Sequence, residues 1–187
     1  TYDPAAKTLN LVIEQTCPPT PGQPVKKPMT IPVRFGLVGP NGEDLEHGAI
    51  DGIEMKGDVM VVTAPRHAVT IAVVGTRPVP SLLRGFSAPV RLSVNLDTAD
   101  HLFLLAHDRD SFNRWQSAQT VATRTLVDGT AAIGMGRTMA VDPRLIEAYR
   151  AVAGDDTLDH AFRALVLGVP GEADIAREIG SNVDPDH

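Results

Sequence analysis

The densest run of residues able to do chemistry lies between Asp97 and Asp110, where Asp97, Asp100, His101, His107, Asp108 and Asp110 follow one another. Carboxylates and imidazoles are the side chains that hold a divalent metal. The spacing argues against that use. His101 and His107 are six positions apart, which on one helix places them about 240° apart rather than on a common face. Asp97, Asp108 and Asp110 fall where N-caps and first-turn acids are expected, because a carboxylate there accepts from unpaired helix N–H groups. Ser87 with a histidine and an acid would make a nucleophilic triad on paper, but nothing in the spacing assembles one. Trp115 could stack on a ligand; on an apolar helix stripe it reads better as a core anchor. The sequence contains no H-E-x-x-H, no Walker loop, no G-x-G-x-x-G and no G-x-S-x-G.

These residues must be positioned by two different kinds of element. In the first half the side-chain pattern has period two, the mark of strands half-buried on one face. Thr8 to Gln15 alternates, with Leu9, Leu11 and Ile13 on one side. Ile31 to Val38 alternates again, with Ile31, Val33, Phe35 and Leu37 inward and Pro32 near its start, where an edge position tolerates it. Shorter strands are predicted at Gly52 to Met55, Val59 to Thr63 and Ala68 to Val74. The turns fall at Gly39-Pro40-Asn41-Gly42, Lys56-Gly57-Asp58 and Ala64-Pro65. Pro18, Pro19, Pro21, Pro24 and Pro28 exclude their segment from sheet interior and helix alike. An ordered crossover loop is the reading; a polyproline II ligand for an SH3-type partner is the functional alternative. Several short strands parted by turns predict an antiparallel sandwich.

The stretch Arg77 to Leu96 is the junction. Its first half is apolar and broken by Pro78, Pro80, Gly85 and Pro89. Its second half predicts a strand with Val90, Leu92, Val94 and Leu96 on one face. Beyond it the period becomes helical. Asp97-Thr98 caps a helix through Ala106 that buries Leu102, Leu105 and Phe103. Asp110 or Ser111 caps a second, through about Val127, with Phe112, Trp115, Ala118, Ala122 and Leu126 on its stripe and Asp128-Gly129 as its stop. Thr130 to Val141 is expected to be a Gly-rich connection. Asp142-Pro143 starts a third helix bearing Leu145, Tyr149 and Val152. A fourth is predicted from about Thr157 to Leu167, burying Leu158, Ala161, Phe162 and Leu165. A short fifth spans about Glu172 to Ile179, and the tail Ser181 to His187 is polar.

Bulk properties remove some functions. Lys and Arg number 17 against 23 Asp and Glu, and a net charge of -6 disfavours a nucleic-acid partner. No apolar run nears the roughly 20 residues that span a bilayer, so no membrane partner is expected. Cys17 is the only cysteine, which rules out an intrachain disulfide and a Cys-based zinc cluster and fits a reducing compartment. No leader precedes Thr1, and the cytoplasm is the expected location. A chain that opens almost directly on a strand reads as a cut piece.

Three stretches together resemble one family. They are Gln15-Thr16-Cys17-Pro18-Pro19-Thr20-Pro21-Gly22-Gln23 through Lys27-Pro28 to Ile31-Pro32; Pro78-Val79-Pro80-Ser81-Leu82-Leu83-Arg84-Gly85-Phe86-Ser87-Ala88-Pro89-Val90; and His107-Asp108-Arg109-Asp110-Ser111-Phe112-Asn113-Arg114-Trp115 with Ala118-Gln119 beyond. In this order they resemble the non-catalytic C-terminal half of the bacterial alanyl aminopeptidases (aminopeptidase N), which are gluzincin zinc peptidases. The resemblance covers nearly the whole chain. It implies an immunoglobulin-like β-sandwich followed by the first helices of a helical domain: an α+β fold by segregation, with 1–96 the sandwich and 97–187 an incomplete α-helical domain. The family's H-E-x-x-H, its distant glutamate ligand and its G-A-M-E-N loop would lie upstream, so no catalytic, cofactor-binding or metal-binding residue carries over to any position here.

The expectation is therefore a scaffolding fragment, inactive alone and free of cofactor, from a parent that uses zinc to release N-terminal residues from peptides. Its partners would be the catalytic and remaining helical domains of its own longer chain, with peptide substrates for the parent. The rival from another class is a freestanding immunoglobulin-like protein-binding module; an independent hydrolase is a third option that the missing motifs disfavour. Leu145, Ile146, Tyr149, Phe162, Leu165, Val166 and Ile175 are too many apolar residues for a few short helices to cover. Self-association through the C-terminal helices, or mobility of those helices, is expected in consequence.

Overall fold

The computed structural model describes residues 1–181 and 183. The chain divides into two compact units, Thr1–Ser93 and Val94–His187.

The first unit holds eight strands: β1 (Tyr2–Asp3), β2 (Thr8–Glu14), β3 (Ile31–Val38), β4 (Ile50–Asp51), β5 (Glu54–Lys56), β6 (Val59–Val62), β7 (Arg66–Ile71) and β8 (Val79–Leu82). They form two antiparallel sheets, ordered β1-β2-β7-β4 and β5-β6-β3-β8. Leu9, Val33, Phe35, Leu37, Met60, Val62, Val69 and Ile71 come from both sheets and share one core, the arrangement of a sandwich. In β2, Leu9 is buried while Asn10, Val12 and Glu14 face out. On that outer face the directly opposed pair Glu14 and Arg66 is joined at 2.8 Å, and the Thr70 hydroxyl donates to Asn10 Oδ1 at 2.9 Å. Pro32 sits in β3, an inner strand by order. However, β6 pairs with Ile31 to Arg34 and β8 with Phe35 to Val38. Pro32 thus lies where β3 is laddered on one side only, and its missing N–H costs no ladder bond.

Three strand expectations need correction. Val90 to Leu96 is not a strand: no ladder among the described residues includes it. Its alternation is real, but alternation needs a neighbouring backbone to become a sheet. The strand of this region is β8, in the Pro-punctuated first half, where Pro80 is tolerated because β8 is an edge strand. The strand expected at Gly52 to Met55 falls across a break: β4, which pairs with β7, ends at Asp51 before it, and β5, which pairs with β6, begins at Glu54, so the chain changes sheets at Gly52 and Ile53. The strand expected at Ala68 to Val74 starts at Arg66 and stops at Ile71. A one-turn 3-10 helix, Arg84–Phe86, follows β8.

The second unit holds α1 (Thr98–His107), α2 (Ser111–Gly134), α3 (Pro143–Gly154), α4 (His160–Leu167) and α5 (Glu172–Ile179). Asp97, Asp110, Asp142 and Asp159 cap the first four through side-chain oxygens, as capping chemistry requires. Leu102, Leu105, Ala118, Val121, Leu145, Val152 and Val166 form the core. The α+β class with segregated elements is the observed one. α2 does not stop at Asp128-Gly129. It continues to Gly134, and Gly129 is buried within it because Met139 crosses there; an added Cβ would stand 2.8 Å from the Met139 Cγ and Sδ. The glycine marks a close approach, not an end. The expected connection from Thr130 shrinks to the residues after Gly134. α4 begins later than Thr157, capped by Asp159, and its buried residue is Val166; Ala161 and Leu165 are exposed. The polar tail Ser181 to His187 lies, but for Ser181 and Val183, outside the described residues.

Candidate functional site

The acid and histidine residues of the Asp97–Asp110 run are placed by their local backbone and do not converge. Asp97 accepts from the Asp100 N–H at 2.7 Å as the cap of α1. Asp110 accepts from the Asn113 N–H at 2.9 Å as the cap of α2, and Asp108 Oδ1 accepts from the Asp110 N–H at 2.9 Å. His107 is exposed in the last turn of α1, its ring 4.7 Å from that of Phe103. His101 is buried instead, and neither ring nitrogen has a hydrogen-bond partner. Its pKa is lowered, first by burial and then by the Arg124 charge, against the opposing pull of Asp100 and Asp97. Among the described residues no group of three His, Cys, Asp or Glu side chains is arranged to hold a metal ion.

Ser87 is engaged as an acceptor: its Oγ takes the backbone N–H of Arg34 at 3.0 Å. Trp115 is half-buried at the margin of the helical core, with its ring 5.7 Å from that of Phe112. It borders the core and is not enclosed by it. In the proline loop, Thr20 to Gln23 closes a tight turn, with Gln23 N–H donating to the Thr20 carbonyl at 2.8 Å and Gly22 at φ 79°. That angle breaks the polyproline II helix an SH3-type partner reads. Gln15 ties the loop down: its Nε2 donates to the Met29 and Ala64 carbonyls, and its Oε1 accepts the Met29 N–H.

The most elaborate side-chain structure lies in the first unit around Arg84. Its guanidinium donates to both oxygens of Asp44, at 2.7 and 2.8 Å, while its Nε donates to Ser81 Oγ at 2.9 Å. The fork lies flat on Gly36 of β3, where a Cβ would stand 2.0 Å from Nη1; only glycine leaves that space. Around it the backbone is left-handed at Leu83 (φ 60°), Gly85 (φ 62°) and Phe86 (φ 52°). For the two non-glycine residues this costs about 1–3 kcal/mol each and persists only where surroundings enforce it. Here Leu83 and Ala88 are buried in the core, and the Arg84 fork holds the turn between them. The result presents Phe86 at 54% exposure.

In the second unit, side chains of α2 serve the ends of other helices. Arg114 Nε donates to the Leu105 carbonyl at 2.8 Å, in the last turn of α1. Gln119 Nε2 donates to the Gly168 carbonyl at 2.7 Å, just past α4. Both satisfy carbonyls that a helix end leaves without an intrahelical donor. Burial pushes the Arg114 pKa down while Asp155 and Asp108 push it up, and its guanidinium lies 5.7 Å from the centre of the Phe162 ring. Between α2 and α5 runs an open groove of about 640 Å³, lined by Leu126, Val169, Ile175 and Ile179 among others. No side chain of α5 is fully buried.

The Arg84–Asp44 fork and the burial of His101 were not foreseen. The first had a signal, an arginine inside an apolar stretch, which demands an acid partner. The second had none, since a buried histidine and a ligand histidine look alike in one sequence.

Residues 1–95 match the family model described as a domain of unknown function (DUF3458) with an Ig-like fold, and residues 98–187 match its companion, described as ARM repeats. The chain is 31% identical over 186 residues to aminopeptidase N of Escherichia coli K12, covering 98% of this chain and 21% of that protein. It is 30% identical over 187 residues to aminopeptidase N of Haemophilus influenzae, covering 99% of this chain and 21% of that protein. The chain therefore spans about a fifth of the length of the curated relatives it matches. A crystal structure of Legionella pneumophila aminopeptidase A in complex with aspartic acid superposes with a TM-score of 0.73 at 23% identity, over 98% of this chain and 19% of that one. That likeness is one of fold, and it agrees with a sandwich followed by helices.

Proposed function

This chain belongs to the family described as a domain of unknown function (DUF3458) with an Ig-like fold, and on that premise we propose that it is a non-catalytic part of a zinc-dependent aminopeptidase. The parent releases N-terminal amino acids from peptides. One observation carries the reading: 98% of the chain is similar to a region of aminopeptidase N, while that region is 21% of the relative. The chemistry then lies in the remaining length. Zinc would activate water there, with a glutamate as general base. The described residues of this chain do not fit that metal: Asp97, Asp108 and Asp110 are committed to helix caps and turns, and no group of three His, Cys, Asp or Glu among them is arranged to hold one. No step of the reaction is assigned to them.

The part played here is support, by a sandwich at 1–96 and helices at 97–187 that space and help enclose the catalytic domain. The three stretches that resemble the family favour this, because each is spent on architecture: Gln15 ties a loop, Arg84 holds a turn, and Arg114 and Gln119 cap helix ends. The partners are the catalytic and remaining helical domains of the same longer chain. No helix among the described residues is long and apolar enough to cross a membrane, and we place the parent in the cytoplasm. Exposed Leu165 of α4, and exposed Val169, which lines the groove between α2 and α5, favour self-association of the separate chain through its C-terminal helices.

The test is to express the complete reading frame that contains this sequence and assay release of the amino acid from aminoacyl anilides. The full product should hydrolyse them and lose activity to a chelator, while the 187-residue chain should not. A full product inert toward all such substrates would contradict the reading.

A further inference from the structure

His67 stands where the chain of the first unit passes twice between its two sheets. One passage is the link from β4 to β5, through Gly52 and Ile53; the other is the turn from β6 to β7, through Thr63, Ala64 and Pro65. The imidazole bonds to both. Its Nε2 accepts the backbone N–H groups of Thr63 at 3.1 Å and Ala64 at 3.0 Å, and its Nδ1 lies 3.2 Å from the Gly52 carbonyl oxygen. A ring nitrogen that accepts carries no proton, so the proton sits on Nδ1 and is donated to Gly52. The geometry therefore admits one tautomer of the neutral ring and excludes the imidazolium, in which both nitrogens are donors. A proton on Nε2 would point at two N–H groups and leave both without an acceptor.

The charged groups of the surrounding strands are turned elsewhere. β7 and β2 carry Arg66 and Glu14 to the outer face, where they pair at 2.8 Å, and β4 places Asp51 on that face opposite Thr70. On β5, Glu54 and Lys56 flank the core-packed Met55 and pair with each other at 3.5 Å. The residue opposite His67 on β2 is Ile13, and β6 has no charged residue. No carboxylate among these is placed to steady a protonated ring. We propose that His67 is a pH-operated latch of the sandwich: the neutral ring clamps the β6–β7 turn to the β4–β5 link, and protonation releases Thr63 and Ala64 and undoes the tie. The sign is fixed by the acceptor role of Nε2. The hold is full while the ring is neutral and is lost as pH falls through the range, about 8 to 5, in which histidine gains its charge. Release is local, because Gln15 holds the same turn from the other side, through its Nε2 on the Ala64 carbonyl at 3.1 Å and its N–H on the Pro65 carbonyl at 3.0 Å.

Two measurements on the 187-residue chain test this. Nitrogen NMR of the His67 ring should show a protonated Nδ1 and a bare Nε2 at about pH 7.5; the opposite tautomer would overturn the latch. Amide hydrogen exchange, expressed as protection factors so that the intrinsic effect of pH is removed, should then follow Thr63 and Ala64. Their protection should fall at least about ten-fold between about pH 7.5 and 5, as the loss of two hydrogen bonds requires, while the β3 amides hold theirs. His67→Gln supplies an amide oxygen that accepts the same N–H groups and does not titrate, so its Thr63 and Ala64 protection should be equal at both pH values. His101, in the second unit, is unaltered in that variant. Unchanged protection of Thr63 and Ala64 in the original chain would overturn the latch. So would a fall of the same size in His67→Gln, or one shared by β3.

Discussion

Arg84 grips Asp44 with two parallel hydrogen bonds of 2.7 and 2.8 Å across 40 positions of sequence, and it does so on the bare backbone of Gly36. The pair is the clasp of the first unit: it joins the turn after β8 to the loop after β3 in the planar geometry that only arginine offers a carboxylate. Arg84 is mostly covered, with 12% side-chain exposure against 32% for Asp44, so a broken pair would leave a partly dehydrated acid behind.

Arg84→Ala is accordingly expected to destabilise the chain by about 2–4 kcal/mol, somewhat under the cost of breaking a fully buried pair because Asp44 keeps some water. Arg84→Lys should recover little, since a point charge cannot fork. Urea unfolding followed by circular dichroism checks both. A loss under about 0.5 kcal/mol, the size of a surface change, would mean the clasp is decorative.

The stripe on α2 makes a graded prediction. Trp115 is half-buried, so Trp115→Ala should cost about 1–3 kcal/mol, below the 3–5 expected of an enclosed aromatic. Arg114→Met keeps the stem and removes the bond to the Leu105 carbonyl; about 1–3 kcal/mol should be lost with it. If Trp115→Ala proved the costlier by several-fold, the helical unit would be anchored by its tryptophan rather than by the cap.

His101 predicts a pH dependence with a definite sign. Its folded pKa is lowered, while the unfolded side chain titrates at about 6.5. Between those values the unfolded chain binds the proton and the folded one does not, so unfolding takes up a proton. Stability is therefore full above about pH 6.5 and falls as pH drops below it. His101→Leu should flatten the urea midpoint between about pH 7 and 5. An unchanged slope in that variant would assign the dependence to other groups.

Protection should be uneven. α5 buries no side chain fully, whereas Leu37, Met60, Val62 and Ile71 of β3, β6 and β7 are almost wholly covered. Native-state hydrogen exchange should be fastest in α5 and slowest in β3 and β6. Uniformly slow exchange through Ile179, in a species that sediments as a monomer, would defeat both self-association and mobility of the last helices.

What could be read from the sequence was the part governed by local rules. Asp97, Asp110 and Asp142 cap the helices expected of them, and β3 runs over the residues its alternation marks. The misreadings are cases where a partner distant in sequence decides. Val90 to Leu96 has a strand's pattern without a strand's neighbour. Gly129 looks like a helix stop until Met139 is seen across it. Leu165 fits a helical stripe, but Val166 is the residue the core reaches. The Arg84–Asp44 clasp depended on the sandwich bringing two loops together, which no local periodicity encodes.

On the proposed function, this chain is architecture and its chemistry lies in the longer protein. Zinc content measures this most directly, in protein purified without a histidine tag and analysed by elemental mass spectrometry. About one zinc per molecule is expected in the full reading-frame product and none retained by the 187-residue chain. About one equivalent held by that chain alone would contradict it.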